Sequence, residues 1–449
     1  MRLASLIGHC SEAVAAIAAD ERPADNVINY FFRSRKYLGA RDRAFIAETV
    51  YHVLRHRRRL EWLAGQYFAA QGLPAPHAEA LFPSLVALAL MEEADEESHA
   101  QELAAAVTER AEIPGAQRFV PSARDFLQRT DTLNWPPDPV ARLAIEFSLP
   151  DWLAPRIVDM LGLDEARRLA SVFNQPAPVI LRVNPMKAPR EAVQSALAAE
   201  GFECDPTPLS PFGLRLRERS NAFTSETFKR GWFEIQDEAS QIVSLCVDPR
   251  PGARVLDACA GGGGKTLHLS ALMKGRGEII ALDIYKRRLD SLRDRARRDD
   301  CQNIRVRLIG AEDSPAAELV GKMQYVLIDA PCTGLGVLRR NPDARWKVTP
   351  DSARELALKQ RALLDRYAAC VAPGGRLVYA TCSILREENE DVIEGFRAGH
   401  PEFAPADLAG ILSRYGLAHL PAPGAHTLRL WPHIHGADGF FIAALHRKG

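Results

Sequence analysis

The chain has 449 residues, 47% of them hydrophobic, and a formal net charge of zero, with 57 basic and 57 acidic side chains. That length allows two or three domains with substantial cores, and no apolar run reaches the roughly 18 residues of a membrane span. The eight cysteines are scattered, with no Cys-x-x-Cys pair, which argues against a secreted disulfide scaffold, so we expect a cytoplasmic protein with reduced thiols.

Residues 1–140 are predicted to form a small all-helical domain. Apolar residues recur at three-to-four spacing in Ala44–Leu54 and Leu85–Met91, and strand-like alternation is absent. Three prolines within Trp135–Pro139 end the helical pattern. Arginines crowd residues 33–59 and 286–298, as a polyanion-binding surface requires, although ordinary solvated helix faces explain either group equally well.

Residues 150–235 predict a small α+β module. Val179–Asn184, Leu214–Arg217 and Trp232–Ile235 are short strand candidates, and Pro189 opens a helix that closes at Gly201.

Residues 236–449 alternate strands with helices, which predicts an α/β domain with a doubly wound, mostly parallel sheet and an antiparallel hairpin at its edge. The strand candidates, in chain order, are Arg254–Asp257, Glu278–Asp283, Ile304–Ile309, Tyr325–Asp329, Leu377–Ala380, Thr427–Trp431 and Phe440–Leu445.

Ligands of such sheets bind at the carboxyl ends of the strands. Asp257, Asp283, Asp329 and Cys382 all stand at predicted strand ends, so we expect them to face one crevice. The first strand leads into a glycine-rich turn, Asp257–Thr266, where backbone can approach a ligand without Cβ interference. Asp283, closing the second strand, is suited to accept hydrogen bonds from ribose hydroxyls.

Three ligands compete for this turn. A phosphate-binding P-loop needs glycine where Cys259 stands, and the dinucleotide fingerprint needs its last glycine where Thr266 stands. S-adenosylmethionine tolerates a looser turn, because it has no pyrophosphate to cradle. A plain structural turn remains the alternative.

Two cysteines follow predicted buried strands, Cys332 after Val326–Pro331 and Cys382 after Arg376–Thr381. Carbon 5 of a pyrimidine becomes nucleophilic once a thiolate adds at carbon 6. Cys382 lies where the strand turns into the segment Ser383–Glu390, and we predict a helix N-terminus next to Cys382 that would favour its thiolate. The alternative for either cysteine is a buried small hydrophobe.

Four motifs together resemble the RsmB/NOP (Sun, NSUN) family of RNA cytosine-5 methyltransferases, namely Asp329–Gly334, Ala380–Ser383, Gln236–Ser240 and Asp438–Phe441. Tyr37–Arg55 is similar to the NusB-like helical domain of bacterial members, and the resemblance covers nearly the whole chain. It implies a Rossmann-like class I methyltransferase domain at 236–449, RNA-binding domains at 1–140 and 150–235, S-adenosylmethionine as cofactor and ribosomal RNA as partner.

The resemblance also implies roles for individual residues. Cys382 would be the nucleophile, Cys332 would assist release of the methylated RNA, and Asp329 would hold the cytosine edge. Gly261 and Gly262 depart from the usual Ala-Pro, and Asp313 is the candidate for an acid missing at Gly310. The implied cofactor residues are Asp257, Cys259, Ala260, Gly261, Gly262, Gly263, Gly264, Lys265, Asp283, Arg288, Asp313 and Asp329.

The leading hypothesis is therefore a 16S rRNA cytosine-5 methyltransferase. The alternatives are a tRNA cytosine-5 methyltransferase, a DNA enzyme that attacks through Pro331-Cys332, and a non-catalytic RNA-binding assembly factor. We predict no metal site, because His433 and His435 have no further ligands close in sequence. Nothing in the sequence requires more than a monomer.

Overall fold

The computed structural model describes residues 1–76, 78–93, 97–109, 113, 116–422 and 424–449. The chain divides into two compact units. The first comprises Met1–Pro176 and Leu338–Val348, and the second comprises Ala177–Val337 and Thr349–Gly449.

The first unit is helical. Its core contains apolar side chains from helices near the N-terminus, among them Ile7, Val14, Ile46 and Phe68, because each helix carries apolar residues on one face. The helices are α1 Leu3–Ala19, α2 Ala24–Ser34, α3 Ala40–Ala70, α4 Ala78–Glu93, α5 Glu97–Thr108, α6 Ala116–Leu127, α7 Pro139–Glu146, α8 Leu153–Leu161 and α9 Leu163–Phe173.

The segment Leu338–Val348 completes this helical unit, although it lies far along the chain. Arg345 is fully buried, and its Nη1 donates to the carbonyl oxygens of Arg55 at 3.3 Å and Ser148 at 3.1 Å and to Asn174 Oδ1 at 2.9 Å. Burial lowers the pKa of Arg345 to about 9. A buried guanidinium of this kind is tolerated because its two Nη groups find acceptors.

The second unit begins with a small antiparallel sheet in the order β2-β3-β1-β4. Leu181, Leu214 and Phe233 contribute to its core. Its elements are β1 Ile180–Val183, α10 Arg190–Ala199, β2 Cys204–Pro206, β3 Gly213–Leu216, α11 Glu226–Lys229 and β4 Phe233–Ile235.

The main sheet has the order β10-β12-β9-β8-β5-β6-β7, with β11 paired to β12. The strands from β7 to β9 are parallel, whereas β12 runs antiparallel to β9. The strands are β5 Arg254–Asp257, β6 Glu278–Asp283, β7 Ile304–Leu308, β8 Met323–Asp329, β9 Val371–Thr381, β10 Phe403–Pro405, β11 Thr427–Leu430 and β12 Phe440–Arg447. The expected Rossmann-like sheet with an antiparallel edge hairpin is confirmed.

Helices connect these strands, and the long one, α16, begins with a capping box in which Thr349 and Ser352 exchange hydrogen bonds. The helices of the second unit from here on are α12 Glu238–Val247, α13 Gly264–Leu272, α14 Lys286–Arg298, α16 Pro350–Ala368, α17 Glu390–Gly399, α18 Leu408–Leu412 and α19 Pro432–His435, whereas α15 Ala344–Lys347 lies in the segment that belongs to the first unit. Among the described residues, no helix is both long and apolar enough to span a membrane.

The strand order reverses at β5, whose parallel neighbours are β6 on one side and β8 on the other. Open α/β sheets bind ligands in the crevice outside the carboxyl ends of the strands at such a switch point. The glycine-rich turn follows β5 directly, so the topology places it at the expected ligand site.

Candidate active site

The acids predicted at strand ends do close neighbouring strands. Asp257 ends β5, Asp283 ends β6 and Asp329 ends β8, while Cys382 follows the last residue of β9. Asp257 is in register with Leu327 of β8, and Asp329 is in register with Ala380 of β9. The parallel ladder therefore brings these side chains to one edge of the sheet.

The glycine-rich turn is tied to the sheet at its start. The Ala258 N–H donates to Leu327 O at 2.9 Å, and the Ala260 N–H donates to Leu282 O at 2.8 Å. Gly261 and Gly263 then take left-handed conformations, with φ of +55° and +88°, which non-glycine residues adopt only at a cost. A Cβ on Gly261 would meet nothing within 4 Å, so the backbone there borders open space.

Asp257 is buried beneath this turn, and its Oδ2 accepts a hydrogen bond from Thr266 Oγ1 at 2.7 Å. Burial raises its pKa to about 7, with the Asp329 charge adding to the effect and the Thr266 hydrogen bond opposing it. Burial likewise raises the pKa of Cys259, so this thiol stays protonated at neutral pH. Asp257 and Cys259 are therefore both protonated to a higher pH than the same side chains exposed to water.

Asp283 is almost fully buried and shapes the turn on the neighbouring strand. Its Oδ2 accepts the Gly261 N–H at 2.8 Å and its Oδ1 accepts the Tyr285 N–H at 2.7 Å. A carboxylate has about four acceptor sites, so both oxygens retain capacity for ribose hydroxyls. Arg288 is exposed on the first turn of α14, where its Cζ lies 4.6 Å from the centre of the Tyr285 ring.

Asp313 lies in the exposed loop after β7. Its Oδ2 accepts the Gly310 N–H at 2.6 Å, so the side chain closes a turn next to the position where the sequence lacked an acid. The structure shows this turn-forming bond and gives no contact of Asp313 with the glycine-rich turn.

Lys265 connects the turn to the end of β8. Its Nζ donates to Asp329 Oδ2 at 2.6 Å and lies 5.2 Å from the centre of the Phe440 ring. The Lys265 side chain is 11% exposed and that of Asp329 is 29% exposed, so the pair borders the crevice and is open to solvent on the carboxylate side.

The two thiols predicted to act together are neighbours. Cys332 Sγ and Cys382 Sγ lie 3.4 Å apart, and both side chains are half-buried. The hydrogen bond to Cys382 raises the pKa of Cys332 well above its ordinary value, with burial adding to the shift. The two thiols therefore share a contact in which either sulfur can be the donor, and the raised pKa keeps Cys332 protonated at neutral pH.

Glu388 holds the two cysteine loops together. It is completely buried and accepts hydrogen bonds from the Thr333 N–H at 2.9 Å, from Thr333 Oγ1 at 2.5 Å and from Ser383 Oγ. Gln360 Nε2 donates to Glu388 Oε1 at 2.9 Å. Because Thr333 follows Cys332 and Ser383 follows Cys382, this one carboxylate fixes the separation of the thiols.

The predicted helix N-terminus next to Cys382 is wrong. The chain after Cys382 forms a loop and a single 3₁₀ turn at Arg386–Glu388, and the α-helix begins only at Glu390. The hydroxyl and amide side chains here compete for backbone groups, as in the bond from the Leu385 N–H to Ser383 Oγ at 3.1 Å. The group in contact with Cys382 Sγ is the Cys332 thiol, at 3.4 Å.

The other two family motifs, Gln236–Ser240 and Asp438–Phe441, also meet at this edge of the sheet. The Gly336 N–H donates to Cys382 O at 2.8 Å, and the Gly439 N–H donates to Gly336 O at 2.8 Å. A Cβ on Gly336 would lie 2.1 Å from Gly439 O. Asp237 Oδ1 accepts the Asp438 N–H at 3.0 Å, so residues far apart in the sequence form one set of contacts.

The basic residues of 286–298 are not all a solvated face. Arg295 and Arg298 on α14 both bind the buried carboxylate of Glu234 on β4.

Arg182, Arg295 and Glu388 are the site residues that sequence reasoning missed. An arginine in the buried run Ile180–Val183 was a usable signal, since a buried charge requires a partner.

Comparison with known proteins places the chain among methyltransferases. Residues 244–446 match the family model described as 16S rRNA methyltransferase RsmB/F, and residues 149–222 match the model of the ferredoxin-like domain of RsmF/B-like methyltransferases. The chain is 32% identical, over 92% of both chains, to the probable ribosomal RNA small subunit methyltransferase B of Bacillus subtilis.

The chain belongs to the RsmB/F methyltransferase family. It is also 30% identical, over 91% of both chains, to the ribosomal RNA small subunit methyltransferase B of Salmonella typhi. The crystal structure of PH0851 shares its fold with a TM-score of 0.75 and 28% identity, covering 98% of this chain and 99% of that one. The resemblance stated from the sequence motifs is confirmed.

RsmB/F methyltransferases use S-adenosylmethionine, and the residues present fit it. The open backbone at Gly261 and the spare acceptor capacity of Asp283 suit a nucleoside ligand at the switch point. His433 and His435 lie on the one-turn helix α19. Within the part of the chain that the structure describes, no group of three or more His, Cys, Asp or Glu side chains could hold a metal ion.

Proposed function

We propose that this protein methylates carbon 5 of a cytosine in small-subunit ribosomal RNA through a covalent adduct with Cys382. The observation that carries the proposal is the pair of thiols 3.4 Å apart in the loops that follow the adjacent parallel strands β8 and β9. One thiol suffices for many nucleophilic enzymes. Two thiols that follow adjacent strands suit a reaction that must both form and break a carbon–sulfur bond.

The first step belongs to Cys382. Its thiolate adds to carbon 6 of the cytosine, and the electrons of the 5,6 double bond make carbon 5 nucleophilic. Bound S-adenosylmethionine supplies the methyl group. Asp329, held by Lys265, is positioned to hold the amino edge of the base, because a carboxylate accepts hydrogen bonds from an exocyclic amine.

The second step belongs to Cys332. After methylation, carbon 5 must lose its proton so that the double bond re-forms and the Cys382 thiolate leaves. Once Cys382 is bonded to carbon it no longer draws on the Cys332 proton, so the largest cause of the raised Cys332 pKa is removed. Cys332 then releases its own proton to water, and its thiolate accepts the carbon 5 proton, directly or through a water molecule.

The methyl donor is proposed to bind along the strand ends from β7 to β8. Asp283 would accept the ribose hydroxyls, Arg288 would approach from α14, and Asp313 would border the adenine. The remaining residues proposed to form this site are Asp257, Cys259, Ala260, Gly261, Gly262, Gly263, Gly264, Lys265 and Asp329.

Residues 1–140 and 150–235 are proposed to bind the RNA. A target base in structured RNA must be unstacked to reach the thiols, at a cost of a few kcal/mol. RNA loops and partly folded assembly intermediates offer unstacked bases more readily. Contacts outside the catalytic domain are one source of the binding energy needed for structured targets.

Adduct trapping tests the mechanism. RNA containing 5-fluorocytosine should form a denaturation-resistant complex with the wild-type protein and S-adenosylmethionine. The complex should vanish in Cys382→Ala and persist in Cys332→Ala. The reverse pattern would support attack by Cys332, as in DNA cytosine-5 enzymes, and would refute the assignment of Cys382.

Bisulfite mapping tests the substrate. Total RNA from cells that lack this protein should lose one 5-methylcytosine site in small-subunit ribosomal RNA. Loss of a site in transfer RNA would identify the tRNA alternative. Loss of no site, together with no binding of S-adenosylmethionine by calorimetry, would identify a non-catalytic assembly factor.

A further inference from the structure

The methyl-donor turn contains four consecutive glycines, Gly261 to Gly264. Glycine loses more conformational freedom on ordering than any other residue. A turn of this composition binds a ligand well only if other groups hold it in the binding conformation, because otherwise the ligand must supply the ordering free energy.

Arg295 holds the middle of the turn. Its Nη1 donates to Gly262 O at 2.5 Å, while Nη2 and Nε donate to Glu234 Oε2 at 2.8 Å and Oε1 at 3.3 Å. Glu234 is 3% exposed. A two-point contact between a guanidinium and a buried carboxylate fixes the plane of the guanidinium, so the third donor is aimed at the Gly262 carbonyl.

Arg298 reinforces the same carboxylate. It also donates to Glu234, and its Cζ lies 4.0 Å from the centre of the Phe228 ring. Arg295 and Arg298 thus share the Glu234 carboxylate. Of these two arginines, Arg295 is the one that donates to the turn.

Arg182 holds the end of the turn from β1, the strand of the small sheet that pairs with β4. It is 3% exposed on β1, and its Nη1 donates to Gly264 O and to Gln236 Oε1. Gln236 Nε2 donates in turn to Ser240 Oγ at 2.9 Å. The helix α13 begins at Gly264, and a positive charge next to a helix N-terminus is unfavourable by itself, so this arginine is kept for its hydrogen bonds.

We infer that Arg295 and Arg182 are positioning residues for the methyl donor, and that the small sheet sets the shape of the donor-binding turn. In a trans peptide the C=O and the following N–H point in opposite directions. Anchoring Gly264 O to Arg182 therefore turns the Lys265 N–H away from the small sheet. The inference rests on the proposed role of the turn in binding S-adenosylmethionine.

The inference is tested in the full-length protein by calorimetry, which measures the dissociation constant of S-adenosylhomocysteine, the unreactive product. Arg295→Met removes the donors and keeps the apolar stem, and we expect a dissociation constant about tenfold higher, equivalent to about 1.4 kcal/mol. The matched control is Arg297→Met on the same helix. Arg297 is 80% exposed and its guanidinium forms an ion pair with the exposed Asp294 at 3.6 Å, so binding should stay within twofold of the wild type.

Steady-state kinetics separate positioning from general damage. Arg295→Met should raise KM for S-adenosylmethionine about tenfold while kcat and KM for RNA change less than threefold, because the thiols and the RNA contacts are untouched. Equal binding of S-adenosylhomocysteine by a folded Arg295→Met protein and the wild type would overturn the inference. A wild type that binds none would instead refute the proposed function.

A second variant covers the case in which Arg295→Met does not fold. Arg295→Lys keeps the charge and the stem but cannot contact Glu234 at two points and Gly262 at the same time. It should weaken binding about threefold to tenfold. Wild-type affinity in this variant would overturn the inference as well.

Discussion

Replacement of Gly263 by alanine should destabilise the second unit strongly, for two separable reasons. Gly263 has φ of +88°, and an added Cβ would lie 2.1 Å from Leu292 Cδ1 on α14. The left-handed conformation costs a non-glycine residue about 1–2 kcal/mol. Overpacking a buried position costs about 1–3 kcal/mol, so we expect Gly263→Ala to lower the free energy of unfolding by about 2–5 kcal/mol in total.

Gly252→Ala is the matched control. Gly252 has φ of +91°, close to that of Gly263, and a Cβ there would meet nothing within 4 Å. It carries the conformational cost of about 1–2 kcal/mol without the collision. The difference between the two variants therefore isolates the contact with Leu292, at about 1–3 kcal/mol.

Urea unfolding followed by far-ultraviolet circular dichroism measures both losses. Adding Leu292→Ala to Gly263→Ala should cost less than the sum of the single changes, by about 0.5–3 kcal/mol, because the two side chains no longer compete for the same space. Equal losses for Gly263→Ala and Gly252→Ala, or additive effects in the double variant, would refute the reasoning.

Three further predictions concern buried polar groups. Glu388→Gln should lower the free energy of unfolding by about 1–3 kcal/mol and slow adduct formation, because each carboxylate oxygen accepts two hydrogen bonds and an amide nitrogen in place of either oxygen accepts none; unchanged trapping kinetics would contradict this. Asp257 has a folded-state pKa raised from 3.8 to about 7, so the wild type should lose stability relative to Asp257→Asn as pH rises through that window, by up to about 1.4 kcal/mol per pH unit, and parallel stability–pH curves from urea titrations would disprove the shift. Arg345→Met should cost the helical unit about 3 kcal/mol or more, since several buried carbonyls lose their donor, and a wild-type melting temperature would exclude that.

The sheet and the ends of its strands could be predicted because their signals are local. Apolar runs such as Arg254–Asp257 and Glu278–Asp283 mark buried parallel strands, and parallel strands must align their carboxyl ends. This is why the sequence predicts Asp257, Asp283 and Cys382 at one edge of the sheet. The boundary of β9 was less predictable: it begins at Val371 rather than Leu377, through residues that include Pro373 and two glycines.

The supporting contacts could not be predicted because they join residues remote in sequence. Glu234 and Arg295 are 61 positions apart, and nothing local distinguishes Arg295 from the exposed Arg297 two residues later. The four polar residues Glu387–Glu390 likewise suggested a solvated helix start after Cys382. Only the packing of the two cysteine loops shows that Glu388 is buried while Glu387 is half-buried.

The discontinuous make-up of the helical unit bears on how the protein is synthesised. Residues 1–176 leave the ribosome well before Leu338–Val348, which the unit needs for Arg345 to reach its acceptors. At about 5–20 residues per second, the intervening stretch takes roughly 10–30 s to translate. Until then the carbonyl oxygens of Arg55 and Ser148 lack their Arg345 donor, so the helical unit can complete its packing only after residue 348 has been synthesised.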